Sequence, residues 1–224
     1  MLPDHVTAIG CWGIRYSPTI RTVVMGDMVT EMEDNSLSRM EAMEYVKLSS
    51  ALQTLKYETM SMNSSLRYLS LPSGITSLPE YFGYADTALD YLVVRGNGMS
   101  GIAKSAFTNC PLSVLDIKSG VGATSIGNSA FVGGKFLIVR IPQSVTSIDT
   151  DAFVNTNVKV VYIDSSSIAG LNASIFSTAA GRLFVNAEVL YTKNTIETIG
   201  ATINRYFEYF KDEGDYKVYT RLVV

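Results

Sequence analysis

DYLVVRGNGMSGIAKSAFTNCPLSVLDI, residues 90–117, reads in two ways. Gly96, Gly98 and Gly101 spell G-x-G-x-x-G behind a strand-like run, Leu89 to Val94, and Asp116 lies 20 residues past Gly96. On one reading this is a dinucleotide-binding turn, with glycines opening the backbone to a pyrophosphate at a helix N-terminus and the acid holding the ribose. On the other, LDYLVV and LSVLDI are two copies of one unit, and the glycines belong to the turn between them. The rest of the chain decides.

The pattern apolar-x-x-apolar-x-apolar recurs as IRTVVM (20–25), MEYVKL (43–48), LRYLSL (66–71), LDYLVV (89–94), LSVLDI (112–117), FLIVRI (136–141), VKVVYI (158–163) and AGRLFV (180–185). The last positions, 25, 48, 71, 94, 117, 141, 163 and 185, are separated by 23, 23, 23, 23, 24, 22 and 22 residues. Two further anchors keep this phase. One is V-T-x-I, ending at Ile9, Met32, Leu55, Leu78, Ile102, Ile126, Ile148 and Leu171. The other is a bulky residue a few positions later: Ile14, Leu37, Met60, Phe82, Phe107, Phe131, Phe153 and Phe176. A unit this short cannot bury its apolar side alone, but stacked units share one core. Overlaid on the repeat, R-G-N-G-M-S-G-I falls on L-P-S-G-I-T-S-L (71–78) and P-Q-S-V-T-S-I (142–148). The glycines therefore sit in the turn leaving the strand, and no helix opens behind them to cradle a phosphate.

The segments LPDHVTAIG (2–10), TSIGNSAFVGG (124–134), IPQSVTSIDTDAF (141–153) and GIAKSAFTNCPLSVLDI (101–117), with Cys110 in place, resemble the BspA-type leucine-rich repeat, L-P-x-x-V-T-x-I-G-x-x-A-F-x-x-C-x-x-L-x-x-L-x-I. The resemblance covers roughly residues 2–185 and is weakest over 26–71, where Met and Leu replace Ile and Phe. It implies a leucine-rich repeat solenoid, α/β to mainly β, of about eight 22–24-residue coils with a parallel β-sheet on one face. It also implies surface display and adhesion, with a protein or glycan partner, and no catalysis.

Composition narrows the function from the other side. Apolar residues make up 47% and charged residues 17%, so the chain folds. A net charge of −3 offers nothing to nucleic acid or anionic lipid. No run of 18 apolar residues exists to span a membrane, and the first 25 residues do not read as a signal peptide. With His5 as the one histidine, neither a multi-histidine metal site nor a triad is expected, and no cofactor or catalytic residue is assigned. Cys11 and Cys110 fall in the first and fifth coils, ~20 Å apart along the stack, too far for a disulfide. Asn63-Ser-Ser and Asn172-Ala-Ser match glycosylation acceptors.

Alternation along a strand then assigns the sheet face. Counting back from each last position, the third and first residues should point outward. They give a ladder of Tyr45, Tyr68 and Tyr91, with Val93, Val114, Ile138, Arg140, Val160, Tyr162 and Phe184 beside and beyond it. This aromatic and apolar strip is the expected partner-binding surface, because Tyr supplies rigid area with a polar tip. The row one position earlier, Arg21, Glu44, Arg67 and Asp90, alternates in sign and is expected to pair along the stack.

The repeat phase ends at Val185, dividing the chain into a solenoid, 1–185, and a cap or assembly segment, 186–224. In the latter, Ile196, Ile199, Ile203, Phe207 and Phe210 have helical spacing over 195–211 behind Asn194 and Glu197, and after a turn at DEGD residues 216–224 alternate as a strand. The first coil carries no cap, so Ile9, Trp12 and Ile14 are expected to meet more chain or another subunit. The expected function is a non-catalytic binding or adhesion module, extracellular or at the cell surface. The alternative is a structural or receptor-binding component of a larger assembly, such as a bacteriophage tail in a virion. Homo-oligomer formation through the first coil or the aromatic C-terminal segment is also left open.

Overall fold

The computed structural model describes residues 2–3, 5–94, 100–117, 125–149, 151–164, 189–192 and 207–221. In chain order its strands are β1 (Ala8–Ile9), β2 (Thr22–Val24), β3 (Glu31–Met32), β4 (Tyr45–Lys47), β5 (Thr54–Leu55), β6 (Tyr68–Leu71), β7 (Tyr91–Val94), β8 (Val114–Ile117), β9 (Ser125–Ile126), β10 (Ile138–Ile141), β11 (Ser147–Ile148), β12 (Val160–Ile163), β13 (Val189–Thr192), β14 (Phe207–Glu213) and β15 (Tyr216–Arg221). Among the described residues there is no helix. The chain winds as a leucine-rich repeat solenoid whose coils have three hydrogen-bonded sides.

The repeated six-residue pattern builds the first side. Its β-branched and aromatic residues favour a pleated, half-buried surface. β2–β4, β6–β7–β8 and β10–β12 are parallel blocks in which each residue faces its equivalent one repeat away, as Tyr68 faces Tyr91 and Tyr91 faces Val114. Val46, Leu69, Leu92, Val139 and Val161 enter the core, and Tyr45, Tyr68, Tyr91 and Ile138 face out. The V-T-x-I anchor builds the second side, a parallel ladder of two-residue strands. β1, β3 and β5 pair in order, single bridges join Leu78 to Ile102 and Ile102 to Ile126, and β9 pairs with β11. Ile102 follows directly on Gly101 in the opening stretch, which continues this ladder as the turn reading requires; Gly96 and Gly98 lie outside the described residues.

The A-F segment builds the third side, and it is not helical. In each of the first six coils two residues four apart occupy the left-handed region: Trp12 and Tyr16, Asn35 and Arg39, Glu58 and Met62, Tyr81 and Ala85, Ser105 and Asn109, Ser129 and Gly133, with φ from 51° to 83°; in the seventh, Asn155 does so. These turn every second amide along the solenoid axis. The N–H groups of Trp12, Ile14 and Tyr16 donate to the carbonyls of Asp34, Ser36 and Ser38 in the next coil. The same triple recurs from Asn35, Leu37 and Arg39 to Tyr57, Thr59 and Ser61, and on through Ser105, Phe107 and Asn109 to Asn128, Ala130 and Val132. Amides between them bond three residues back within their own coil, as Gly13 does to Gly10 and Arg15 to Trp12. A helical turn would keep all these bonds inside one coil. The left-handed residues cost about 1–2 kcal/mol each when not Gly, and the bonds they direct to the next coil offset that at about 1 kcal/mol each.

Phe82, Phe107, Phe131 and Phe153 form a column inside, with neighbouring centroids 5.7, 5.8 and 5.1 Å apart, and Phe136 meets Phe131 and Phe153 edge-on. Toward the N-terminus the same volume is filled by Met25, Met32, Leu37, Met40, Met43 and Met60, all buried. A polar ladder runs beside the column. Asn63 accepts the Met40 N–H at Oδ1 (2.9 Å) and donates through Nδ2 to the carbonyls of Leu37 and Met60. One coil on, Asp86 accepts the Asn63 N–H at Oδ1 (2.6 Å), while its buried Oδ2 has no partner. Next, the Cys110 thiol donates to the Gly83 carbonyl (2.9 Å). Burial pushes the Asp86 carboxyl well above its usual range, and burial followed by the Asp86 charge does the same to the Cys110 thiol. Cys11 is exposed, and both thiols are free. Because Asn63 is fully buried and bonded, its Asn-Ser-Ser sequence is closed to modification in the folded chain; Asn172 lies outside the described residues.

The C-terminal end corrects two expectations. β13, not 180–185, forms the rung beside β12: Val161 faces Leu190 and Ile163 faces Thr192, so the rung ends 7 residues later than the repeat phase places it (192 against 185). The ladder takes the segment with the right alternation, and Leu190 and Thr192 are fully buried. Phe184, with the rest of 165–188, lies outside the described residues. The helix expected over 195–211 does not extend through its last turn, because Phe207 and Phe210 lie on β14. β14 is antiparallel to β15 across Gly214-Asp215, with Gly214 at φ 57°, and β15 is antiparallel to β13. Aromatic residues suit such a hairpin, and a turn residue with positive φ matches the strand twist. Ile196, Ile199, Ile203, Asn194, Glu197 and the boundary at 185/186 lie outside the described residues.

Candidate functional site

Tyr45, Tyr68 and Tyr91 stand on the outer side of three strands one repeat apart, and they are 51%, 46% and 37% exposed. Tyr68 is registered directly on Tyr91, with ring centroids 5.5 Å apart and planes tilted by 32°. Their positions are fixed by the neighbours that alternate with them: Val46, Leu69 and Leu92 are locked in the core. Val114, registered on Tyr91, and Ile138 continue the row as exposed side chains. Val93 departs from the expected exposed strip. It points to the same face but is 4% exposed, registered between Ser70 and Asp116.

The other end of the strip is closed. Tyr162 stacks on Tyr191 of β13, with centroids 4.4 Å apart, and Tyr216 of β15 meets both rings edge-on. Arg140 binds Asp164 (Nε to Oδ2, 2.6 Å) and donates to the Tyr216 hydroxyl (2.7 Å), which itself donates to Asp164. Burial and then the bond to Asp164 hold the Tyr216 phenol above its usual range. Arg140 and Tyr162 thus serve to seat the C-terminal hairpin, while Val160, half-buried like Tyr162, is registered on Val189 of β13. The open part of the face is the row from Tyr45 to Ile138.

Beside that row lie two adjoining hollows that alternation alone does not show. One, of about 470 Å³, is lined by Glu44, Ser64, Ser65, Arg67 and Ala88. The other, of about 400 Å³, is lined by Arg67, Thr87, Ala88, Asp90, Pro111 and Lys135. The alternating charges expected here pair only in part. Arg21 binds Glu44 (2.9 Å), but Asp90 turns to the Ser113 hydroxyl and amide instead of Arg67. Sequence reasoning also missed a second set of rings on the third side of the coils. There Tyr81 meets Tyr57 and Tyr84 edge-on, and Arg15 lies 4.3 Å from the Tyr16 ring centroid. The signal was the spacing of Tyr57 and Tyr81, 24 residues apart.

His5 is exposed, and among the described residues no group of three or more His, Cys, Asp or Glu is placed to hold a metal ion. Among them, no helix is long and apolar enough to cross a membrane.

A parallel solenoid with this repeat defines a class, the leucine-rich repeat proteins. Within that class, the BspA type leucine rich repeat region matches residues 1–112 and 85–181, with six copies, and the chain belongs to that family. A leucine-rich repeat protein from Bacteroides ovatus ATCC 8483 is similar in fold, with a TM-score of 0.62 at 18% identity over 87% of this chain and 56% of that one. A leucine rich cell surface protein from Faecalibacterium prausnitzii A2-165 aligns with a TM-score of 0.41 at 18% identity over 73% of this chain and 60% of that one. The chain thus spans somewhat over half the length of the solved structures it matches. No curated protein matches it.

Proposed function

We propose that this chain is a non-catalytic binding or adhesion module that holds a protein or glycan on its sheet face. The observation that carries this reading is the exposed row Tyr45, Tyr68, Tyr91, Val114 and Ile138 across consecutive rigid strands. Contiguous apolar and aromatic surface of this kind marks interaction sites, and a fixed sheet offers it at little entropic cost. Membership in the BspA-type family supports the same reading and a location at a cell surface. The alternative, a part of a larger assembly such as a bacteriophage tail, draws no support from that family. Printed arrays of glycans and glycoproteins test the proposal. The wild-type chain should be retained by a defined subset, and Tyr45→Ser, Tyr68→Ser and Tyr91→Ser combined should abolish retention while leaving the thermal unfolding midpoint within a few degrees. Retention unchanged by the triple variant would remove the sheet face as the site.

A further inference from the structure

The two hollows share Arg67 and Ala88, so they form one groove running across the strands, parallel to the solenoid axis and alongside the tyrosine row. It crosses five coils, from Glu44 to Lys135. Its charges are unevenly used. Glu44 is held by Arg21 and Asp90 by Ser113, whereas the side chains of Arg67 and Lys135, whose backbones are bonded, have no ion-pair or hydrogen-bond partner among the described residues. The charges that line the groove, Arg67 and Lys135 against Glu44 and Asp90, balance, but both carboxylates are already engaged, Glu44 by Arg21 outside the groove and Asp90 by Ser113. Three hydroxyls, on Ser64, Ser65 and Thr87, line the same walls.

Resting on the sheet-face reading, we infer that this groove takes a linear acidic polysaccharide, its carboxylates on Arg67 and Lys135 and its sugar rings against Tyr68 and Tyr91. Three observations select that occupant. The unengaged charged side chains are the cations Arg67 and Lys135, with the Thr87 hydroxyl in the same hollow, which suit a carboxylated chain; the Ser64 and Ser65 hydroxyls already donate to the Glu41 carbonyl. Exposed phenol rings one coil apart present flat apolar faces, as sugar rings require. The third is pitch. A ligand lying along the axis meets one coil every ~4.8 Å, close to the length of one pyranose unit, whereas an extended peptide advances only ~3.3 Å per residue and falls out of step within two coils. Arg67 supplies a planar two-pronged donor, the geometry that holds a carboxylate.

Titration calorimetry with a galacturonic acid hexamer, a neutral maltohexaose and poly-L-glutamate tests this. The acidic hexamer should bind, and Arg67→Gln should weaken it about tenfold, as loss of a charge-assisted hydrogen bond does. Lys135→Gln should weaken it less, rising salt should weaken it further, and Tyr57→Ser with Tyr81→Ser on the third side should leave it unchanged. Maltohexaose and poly-L-glutamate should bind at least tenfold more weakly. Equal binding of poly-L-glutamate would assign the groove to acidic peptides and overturn the inference. Binding of the hexamer that ignores Arg67→Gln and Lys135→Gln but is lost in the triple tyrosine variant would overturn the groove while the sheet-face reading stands. No binding of the hexamer, with array retention still dependent on the tyrosines, would do the same.

Discussion

Coils 2 and 3, residues 26–71, and coils 5 to 7, over their described residues 101–117, 125–149 and 151–163, build the same backbone ladders around different interiors. The later coils keep Ala-Phe in phase and stack Phe107, Phe131 and Phe153. The earlier ones put Leu37 and Met60 in those places, with Met32, Met40 and Met43 around them. Yet Asn35 and Arg39, Glu58 and Met62, and Ser105 and Asn109 take the same left-handed conformations and send amides to the next coil in the same way. The backbone ladders are therefore indifferent to which apolar side chain fills the coil. Side-chain identity decides how much each coil contributes and how sharply its packing is defined.

That contrast can be broken hardest at its ring column. Phe131 lies between two other rings, so Phe131→Ala should cost about 3–5 kcal/mol in urea unfolding. Phe131→Leu should cost more than Met60→Leu, which swaps near-equal volumes and should stay below ~1.5 kcal/mol. Equal costs for the two leucine variants would mean that the stacked rings add nothing over a methionine filling.

The second test sits at the join, in the polar ladder. Asn63 satisfies its amide group through Leu37 and Met60, whereas Asp86, its equivalent one coil on, leaves Oδ2 unpaired. Asp86→Asn supplies an Nδ2 facing the equivalent carbonyls, those of Met60 and Gly83, and should stabilise the chain by about 1–3 kcal/mol at neutral pH. The sign with pH follows from the raised carboxyl. Between its ordinary value near ~3.9 and its raised one, the folded chain holds a proton that the unfolded chain has released, so stability falls as pH rises through that window. Asp86→Asn should remove that slope from pH-dependent urea midpoints; an unchanged slope would locate the charge coupling elsewhere.

Smaller effects probe the two ends of the sheet face and the turn. Tyr216→Phe removes the hydroxyl between Arg140 and Asp164 and should cost about 1 kcal/mol, read as earlier proteolysis at the C-terminal hairpin. Tyr68→Ser on the open part should leave stability nearly untouched. At the left-handed site shared by Ala85 and Gly133, Ala85→Gly should stabilise by about 0.5–1 kcal/mol and Gly133→Ala should destabilise by about as much. Like signs for the two would refute equal conformations at the two positions.

The repeat was legible because burial enforces it: the anchor positions and outward tyrosines follow from alternation and phase alone. Three features were not. The left-handed turn residues include Trp12, Glu58, Tyr81 and Ser105, with Gly only at Gly133, so composition carries no mark of the conformation that inter-coil bonding imposes. The second side was legible as the V-T-x-I anchor but not as strands, because two-residue strands are too short to show alternation. At the end of the stack, the rung beside β12 is Val189–Thr192, because register with β12 is set by pairing, not by counting. For the site, the row from Tyr45 to Ile138 was readable, but the burial of Val93 and the release of Arg67 by Asp90 depend on neighbours that only the folded coil brings together.

All three ladders run along the axis, so tension between the two ends of the stack pulls each hydrogen bond lengthwise, one rung after another. Such an arrangement peels and does not shear. Stretched singly, the chain should lengthen in a series of small, similar steps, each releasing about 23 residues, or roughly 70–80 Å of slack. A binder tethered at a surface would then yield gradually under drag and keep its remaining coils intact.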